Sequence, residues 1–353
     1  MLNWYRAINH WEVKMPAISV RKFGRLGFDI TDMGFGAAPI GNFLRPISEE
    51  DSAAMINRAW DAGMRYFDTA PYYGHGLSEA RIGQNLRWKP RDQFVVSSKV
   101  GRVLEPARRK DIDFKPWVDG LPFKCRFDYS YDGTMRSFED SLQRLGLEYI
   151  DILFIHDADV FTHGVEMQKV YYKQAIDGCY RALVKLRDQG LVKAIGVGVN
   201  NWEVMLDFMK AGDFDTLLVA GRYTLLEQDV LDELLPLCER RGTALVIGGG
   251  FNGGILATGT TPGAKWNYAP APDHIVAKVK KIEAICTKYN IPLAAAALQF
   301  LLAHPAVASH VPGTRNVAQM EQNIALVAHP IPVEFWQDLK KAGLLRQDAP
   351  VPH

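Results

Sequence analysis

Residues 66–74 read Tyr66-Phe67-Asp68-Thr69-Ala70-Pro71-Tyr72-Tyr73-Gly74, an apolar and aromatic run that stops on an acid, passes a proline-stiffened turn and delivers two tyrosines. A short apolar run bounded by turn residues is the mark of a buried strand. Taken alone, the stretch is a strand capped by an aspartate turn. It decides the fold because the pattern recurs. Apolar runs end near Gly36, Asp68, Lys99, His156, Val199, Ala220, Gly248 and Val311, which makes eight.

Between these runs lie segments with helical spacing, over residues 49–62, 77–86, 134–145, 173–189, 203–210, 232–240, a pair over 274–303, and 317–326. An appended helix is expected over 333–344. Ser48-Glu49-Glu50-Asp51 is a helix start and Gln189-Gly190 a helix end. Strands alternating with helices in this number predict an α/β fold, a closed (β/α)8 TIM barrel. An N-terminal β-hairpin is expected over residues 19–30, turning between Gly24 and Gly27. The alternative is an open doubly wound sheet, but no GxGxxG follows the first strand.

No composition shift marks a domain boundary. Residues 1–18 are expected to form an irregular extension, and residues 19–353 one domain that includes the C-terminal helix. Two connections are long and aromatic: residues 102–132, with Trp117, Phe123, Phe127, Tyr129 and Tyr131, and residues 249–273, with Phe251, Trp266 and Tyr268. Both leave the C-terminal face of the barrel, where active sites of this fold are built, so they are expected to wall or cover a pocket.

With 353 residues, 48% of them apolar, the chain can bury a large core, and its net charge of +1 excludes a broadly basic or acidic surface. Arg108-Arg109-Lys110 is diluted by Glu105, Asp111 and Asp113, so nucleic acid is not an expected partner. Between Met1 and Lys14 there is no apolar segment of signal-peptide length, and residues 292–303 fall short of a membrane span. A soluble cytoplasmic protein without a membrane partner is expected; no feature specifies an oligomeric state. Cys125, Cys179, Cys238 and Cys286 lie far apart without a CxxC pattern and read as reduced thiols.

Three neighbouring strands each end on an ionisable group: Asp68, then Lys99 after Val95-Val96-Ser97-Ser98, then His156 after Ile152-Leu153-Phe154-Ile155. Tyr73 lies on the adjoining loop. A single strand-end histidine or lysine is ordinarily structural. Together, the four form a proton-transfer site. An ammonium at Lys99 would favour the Tyr73 phenolate, Asp68 would hold Lys99, and His156 would orient a substrate oxygen. His156, Asp157, Asp159 and His163 crowd together as a rival metal site, yet they straddle a strand end and a loop without a third convincing ligand, and no metal is expected. A glycosidase would need a second carboxylate facing Asp68, and a serine nucleophile would need a GxSxG elbow.

Phe67-Asp68-Thr69-Ala70 with Tyr73, Ser98-Lys99 and Ile155-His156 resemble the aldo-keto reductases over nearly the whole chain. The resemblance implies that Asp68, Tyr73, Lys99 and His156 are a catalytic tetrad, with Tyr73 as proton donor or acceptor and hydride passing to or from a nicotinamide. It also implies cofactor contacts. Asn200 stands where the carboxamide is held, although Val199 replaces the usual serine and Ala220 the usual glutamine. Gly250, Phe251, Asn252 and Gly253, in the glycine run 248–254, would wrap a pyrophosphate through backbone N–H groups.

Gly313, Thr314, Arg315, Gln319 and Asn323 resemble the adenine-ribose segment. Gly313 and Gln319 replace two cations of NADP-preferring relatives, which favours NAD, while Arg315 remains able to pair with a 2′-phosphate. Gly120-Leu121-Pro122-Phe123, Tyr129-Ser130-Tyr131-Asp132-Gly133 and Phe251-Asn252 look like the D-threo-aldose (L-fucose) 1-dehydrogenase and pyridoxal 4-dehydrogenase subgroup. The implied reaction is oxidation of a cyclic hemiacetal, a sugar or pyridoxal, to a lactone. The alternatives are an NADPH-dependent aldehyde or ketone reductase and, from another class, a cofactor-binding regulatory subunit.

Overall fold

The computed structural model describes residues 18 to 352. Eight parallel strands form one sheet: Phe35–Gly36 (β1), Tyr66–Asp68 (β2), Val95–Val100 (β3), Ile152–His156 (β4), Ala194–Val199 (β5), Thr216–Ala220 (β6), Ala244–Gly248 (β7) and Val307–Val311 (β8). Each pairs with its sequence neighbour, in the order β8-β7-β6-β5-β4-β3-β2-β1. Parallel bridges between Met33 and His310 and between Gly36 and Gly313 bring β1 back to β8 and close the barrel. Every residue of β2, β3, β4, β5, β7 and β8 is buried, because helices cover the outside and side chains fill the inside. Continuous burial is why these strands read as mainly apolar runs, interrupted by Ser97 and Ser98 in β3 and by Ser309 and His310 in β8.

The predicted hairpin forms, with Val20–Lys22 antiparallel to Asp29–Thr31. It closes the N-terminal end of the barrel, where Phe23 and Ile30 pack with Tyr66, Ile152, Phe154, Ala194 and Ala244. Arg25 ties it to the rim, donating to Asp213 and Asp215 at 2.7 and 2.8 Å. The extension expected over residues 1–18 lies, apart from Ile18, outside the described residues.

The helices differ from expectation in two places. The helix after β4 begins at Val160, not near residue 173, and runs as Val160–Gln174, a π-helical turn Ala175–Tyr180, and Arg181–Asp188. Its first part buries no residue; Phe161, Val165, Met167 and Val170 are exposed, so no amphipathic stripe announces it. The helix expected from residue 134 begins at Tyr131, where Ser130 accepts the Gly133 N–H as N-cap.

The long connections are also more ordered than loops. Within 102–132, Arg102–Pro106 pairs antiparallel with Phe123–Phe127 over five residue pairs. Residues 249–273 hold a short helix, Ile255–Thr258, and a two-residue hairpin, Lys265–Trp266 against Ala269–Pro270. Among the described residues no single helix is long and apolar enough to cross a membrane. All four cysteines are free thiols, three of them buried.

Candidate active site

The ends of β2, β3 and β4 bring Asp68, Lys99 and His156 to one rim. Lys99 Nζ donates to both Asp68 carboxylate oxygens, at 2.9 and 2.8 Å, and to Thr69 O at 2.8 Å. Ser97 Oγ donates to Asp68 at 2.6 Å, and the Tyr66 hydroxyl lies 2.9 Å from Ser97 Oγ. Both members of the ion pair are almost fully buried. Burying a pair is tolerable only with further hydrogen bonds, and Ser97 and Thr69 supply them.

Tyr73 arrives from the loop after β2, whose Tyr73 N–H donates to Ala70 O at 3.1 Å. Its ring lies 6.0 Å from the His156 ring, edge to face, and 5.5 Å from Trp117. Lys99 Nζ stands 4.8 Å from the centre of the Tyr73 ring. The expected lowering of the phenol by Lys99 is not what this arrangement produces. Burial, then the charge of Asp68, pushes Tyr73 well above the usual tyrosine range, so in the free protein it is a neutral phenol.

His156 is held by a residue that the sequence did not single out. Arg102, the first residue of the Arg102–Pro106 strand, approaches His156 Nδ1 at 3.1 Å and Asp157 Oδ2 at 2.8 Å. Its guanidinium packs between the rings of Tyr72 and Phe127, at 4.2 and 4.4 Å. Gly101 makes the approach possible: its φ is 101°, and a Cβ there would stand 2.5 Å from the Tyr129 ring. Tyr129 in turn donates to His156 O at 2.7 Å. Burial first, then Arg102 and Lys99, hold the His156 imidazole well below its usual range, so it is neutral.

Trp117 roofs the site. It stands edge-on to Tyr72 at 5.2 Å and against Phe43 at 5.3 Å, and its backbone is bridged to Phe43 in the loop after β1. Tyr268, from the second long connection, reaches Phe43 at 6.4 Å and Phe161 at 6.2 Å. Both long connections therefore contribute to an aromatic wall over Tyr73.

The residues of the rival metal cluster are engaged separately. Asp159 caps the Val160–Gln174 helix through Thr162 N–H and accepts the N–H groups of Asn200 and Asn201, while His163 Nε2 lies 3.1 Å from the Tyr129 hydroxyl. Among the described residues no group of three or more His, Cys, Asp or Glu converges as metal ligands do.

The expected cofactor residues divide. Asn200 is half-buried, with its backbone clamped by Asp159 and by Arg222 Nε, which donates to Asn200 O at 3.1 Å; its side-chain amide has no bond to the described residues. Thr314 Oγ1 is buried without a partner. Such atoms fit a ligand that brings its own donors and acceptors, as a carboxamide and a ribose do. Arg315 donates to Phe43 O at 3.2 Å, and Gln319 Oε1 accepts the Arg315 N–H at 3.0 Å. Gly313 is exposed on the rim and Asn323 is buried below it.

In the glycine run, Asn252 is buried and turned inward, donating to Gly221 O at 3.0 Å and Glu227 at 2.6 Å, and its N–H is bonded to Gly249 O. Gly250 is buried where a Cβ would stand 2.5 Å from Leu301 and 2.7 Å from His310. Phe251 meets His310 edge-on at 6.3 Å, and Gly253 is exposed.

A buried Asp-Lys pair, a neutral phenol and a neutral imidazole at the C-terminal rim of a (β/α)8 barrel define an oxidoreductase of the carbonyl-hydroxyl type. The chain belongs to the aldo/keto reductase family, whose model matches residues 32–343, and it is an NAD(P)-dependent dehydrogenase or reductase. It is 44% identical over 340 residues to a pyridoxal 4-dehydrogenase of Microbacterium luteolum, covering 94% of this chain and 99% of the relative. It is 39% identical over 327 residues to a D-threo-aldose 1-dehydrogenase of a Pseudomonas species, covering 90% and 96%. The holo form of an aldo-keto reductase from Bacillus halodurans shares the fold, with a TM-score of 0.72 at 23% identity over 95% of this chain and 98% of that one.

Proposed function

We propose that this chain oxidises a cyclic hemiacetal, an aldose such as L-fucose or pyridoxal, to the lactone, with NAD as the favoured cofactor. The bound nicotinamide supplies the acceptor for the hydride that leaves the hemiacetal carbon. Tyr73, in its ionised form, takes the proton of the hydroxyl on that carbon, so that one C–H and one O–H bond are exchanged for the lactone C=O. His156 donates a hydrogen bond to the same oxygen and orients it. Asp68 anchors Lys99, whose ammonium, 4.8 Å from the centre of the Tyr73 ring, offsets part of the cost of ionising the buried phenol before the proton is taken. Trp117, Tyr72 and Phe43 flank the ring of the substrate and exclude water.

Asn200 would hold the carboxamide, and Thr314, Arg315 and Gln319 the adenosine end. The observation that carries the reading is the convergence of Asp68, Lys99, Tyr73 and His156 beneath an aromatic wall, in a chain with long similarity to two dehydrogenases of hemiacetal-forming substrates. The replacement of two cations by Gly313 and Gln319 supports NAD.

One observation favours a second reading, an NADPH-dependent aldehyde or ketone reductase. Arg315 stands two residues before the Val317–Val327 helix, where burial, then the charge of Arg45, lowers its pKa. A guanidinium there suits a 2′-phosphate. The test is absorbance at 340 nm with NAD or NADP and L-fucose, D-arabinose, other aldoses or pyridoxal, for the parent and Tyr73→Phe. Activity confined to NADPH and a free carbonyl would sink the first reading.

A further inference from the structure

We propose that Arg102 is a positioning residue of the site, locking His156 in the Nε2–H tautomer and drawing the Asp157 carboxylate away from it. The proposal deepens the reading above and rests on it for the role of His156, but not for the tautomer itself.

A guanidinium carries only donors and does not deprotonate in proteins. At 3.1 Å from His156 Nδ1, Arg102 Nη1 must therefore donate, and Nδ1 must hold a lone pair. The single proton of a neutral imidazole is then on Nε2. Asp157 Oδ1 lies 3.5 Å from Nε2, beyond good hydrogen-bond distance, because its other oxygen is taken by Arg102 Nη2 at 2.8 Å. The Nε2–H is left available for a substrate oxygen.

Every charged or titratable group packed around His156 fits this assignment. Arg102 and Cys125 come from the hairpin after β3, Lys99 from β3 itself, with Asp68 behind it on β2. Tyr72 and Tyr73 face the ring from the loop after β2, and Tyr129 and His163 stand at its backbone end. Asp157 Oδ1 is the carboxylate oxygen that stands 3.5 Å from Nε2, and its ion-pair partner is Arg102. Removing Arg102 would deprive Nδ1 of its donor and leave Asp157 free to accept from the Nε2–H, while burial and Lys99 would still hold the ring neutral. The proton could then settle on Nδ1 or be spent on Asp157, and the donor facing the substrate oxygen would be lost.

The experiment is long-range proton–nitrogen NMR on the full chain with 15N-labelled histidine, the His156 signal being assigned with His156→Gln. In the parent, a bare Nδ1 and a protonated Nε2 that persist from pH 8 to 5 are expected. A protonated Nδ1 overturns the proposal whatever the substrate proves to be. In Arg102→Met, whose stem still packs between Tyr72 and Phe127, part of the His156 proton should move to Nδ1. In step, kcat should fall on the order of tenfold below the parent at each pH, with KM changing less. Arg102→Lys should restore part of the parent tautomer and rate. His156 signals in Arg102→Met that match the parent at every pH would also refute it. If Arg102→Met does not fold, Asp157→Asn decides: its His156 should keep the parent tautomer, and a switched tautomer would assign the lock to Asp157 instead.

Discussion

Lys99 Nζ touches both carboxylate oxygens of Asp68, at 2.9 and 2.8 Å, in a barrel end where neither side chain meets solvent to any extent. Breaking one half of such a pair strands the other as a buried charge. Asp68→Asn is therefore expected to lower unfolding free energy by about 3–5 kcal/mol. The double variant with Lys99→Met should regain much of that stability. Neither should recover activity, which is expected to stay at least about a hundredfold down. Urea denaturation and initial rates measured on the same preparations separate the effects; equal recovery of stability and rate would show that the pair is only structural.

The pH dependence follows from Tyr73. Its phenol is raised well above the usual range by burial and by Asp68, so the ionised fraction rises roughly tenfold per pH unit below that value. Oxidation needs Tyr73 as a base, and kcat/KM for oxidation should climb from pH 7 to beyond pH 9. Reduction needs the protonated phenol and should not fall over the same interval. Tyr73→Phe should abolish the climb and most of the rate, and a parent profile that declines above pH 7 in the oxidative direction would contradict the assignment.

Cofactor choice turns on a small group of residues. Gln319 accepts the Arg315 N–H at 3.0 Å and brings no charge to the segment proposed to hold the adenosine end. Gln319→Arg should raise NADP affinity about tenfold, the equivalent of 1.4 kcal/mol, relative to NAD. Fluorescence titration of both cofactors reads the ratio without substrate. An unchanged ratio would place the 2′-position elsewhere.

His310 offers a test of stability. It is fully buried on β8, both ring nitrogens lack partners, and burial lowers its pKa to about 3. A histidine with an unfolded pKa near 6.5 contributes no penalty above that pH, and destabilises the fold increasingly as pH falls through the interval down to about 3. At pH 5 the penalty is about 2 kcal/mol from this residue. His310→Leu should be at least as stable as the parent at neutral pH and lose less stability between pH 7 and 5. Parallel pH slopes for the two proteins in urea denaturation would refute this.

The eight strand ends were legible because a doubly covered parallel strand is mainly apolar and gives way to polar residues at the rim. Asp68, Lys99 and His156 stood out for the same reason, each closing such a run. The helix Val160–Gln174 was not legible, since its apolar side chains point to solvent and leave no stripe. The Phe123–Phe127 strand does alternate between half-buried and exposed residues, but Arg102–Pro106 begins with three buried ones, so the pair read as a loop. The partners of the Asn252 side chain, Gly221 and Glu227, lie on another loop and cannot be read from local spacing. Arg102 was hidden likewise, its meaning arising only when the hairpin folds back on His156.

That hairpin joins two properties usually varied independently. It carries Trp117 over Tyr73 and Arg102 against His156, with Gly101 and Tyr129 clasping its two ends. A graft of this segment from a relative, made to change which ring is accepted, would also replace the guanidinium that contacts His156 Nδ1. Engineers of new substrate scope should therefore treat Gly101, Arg102 and Tyr129 as part of the catalytic chassis, and place the variable module between Val103 and Phe127.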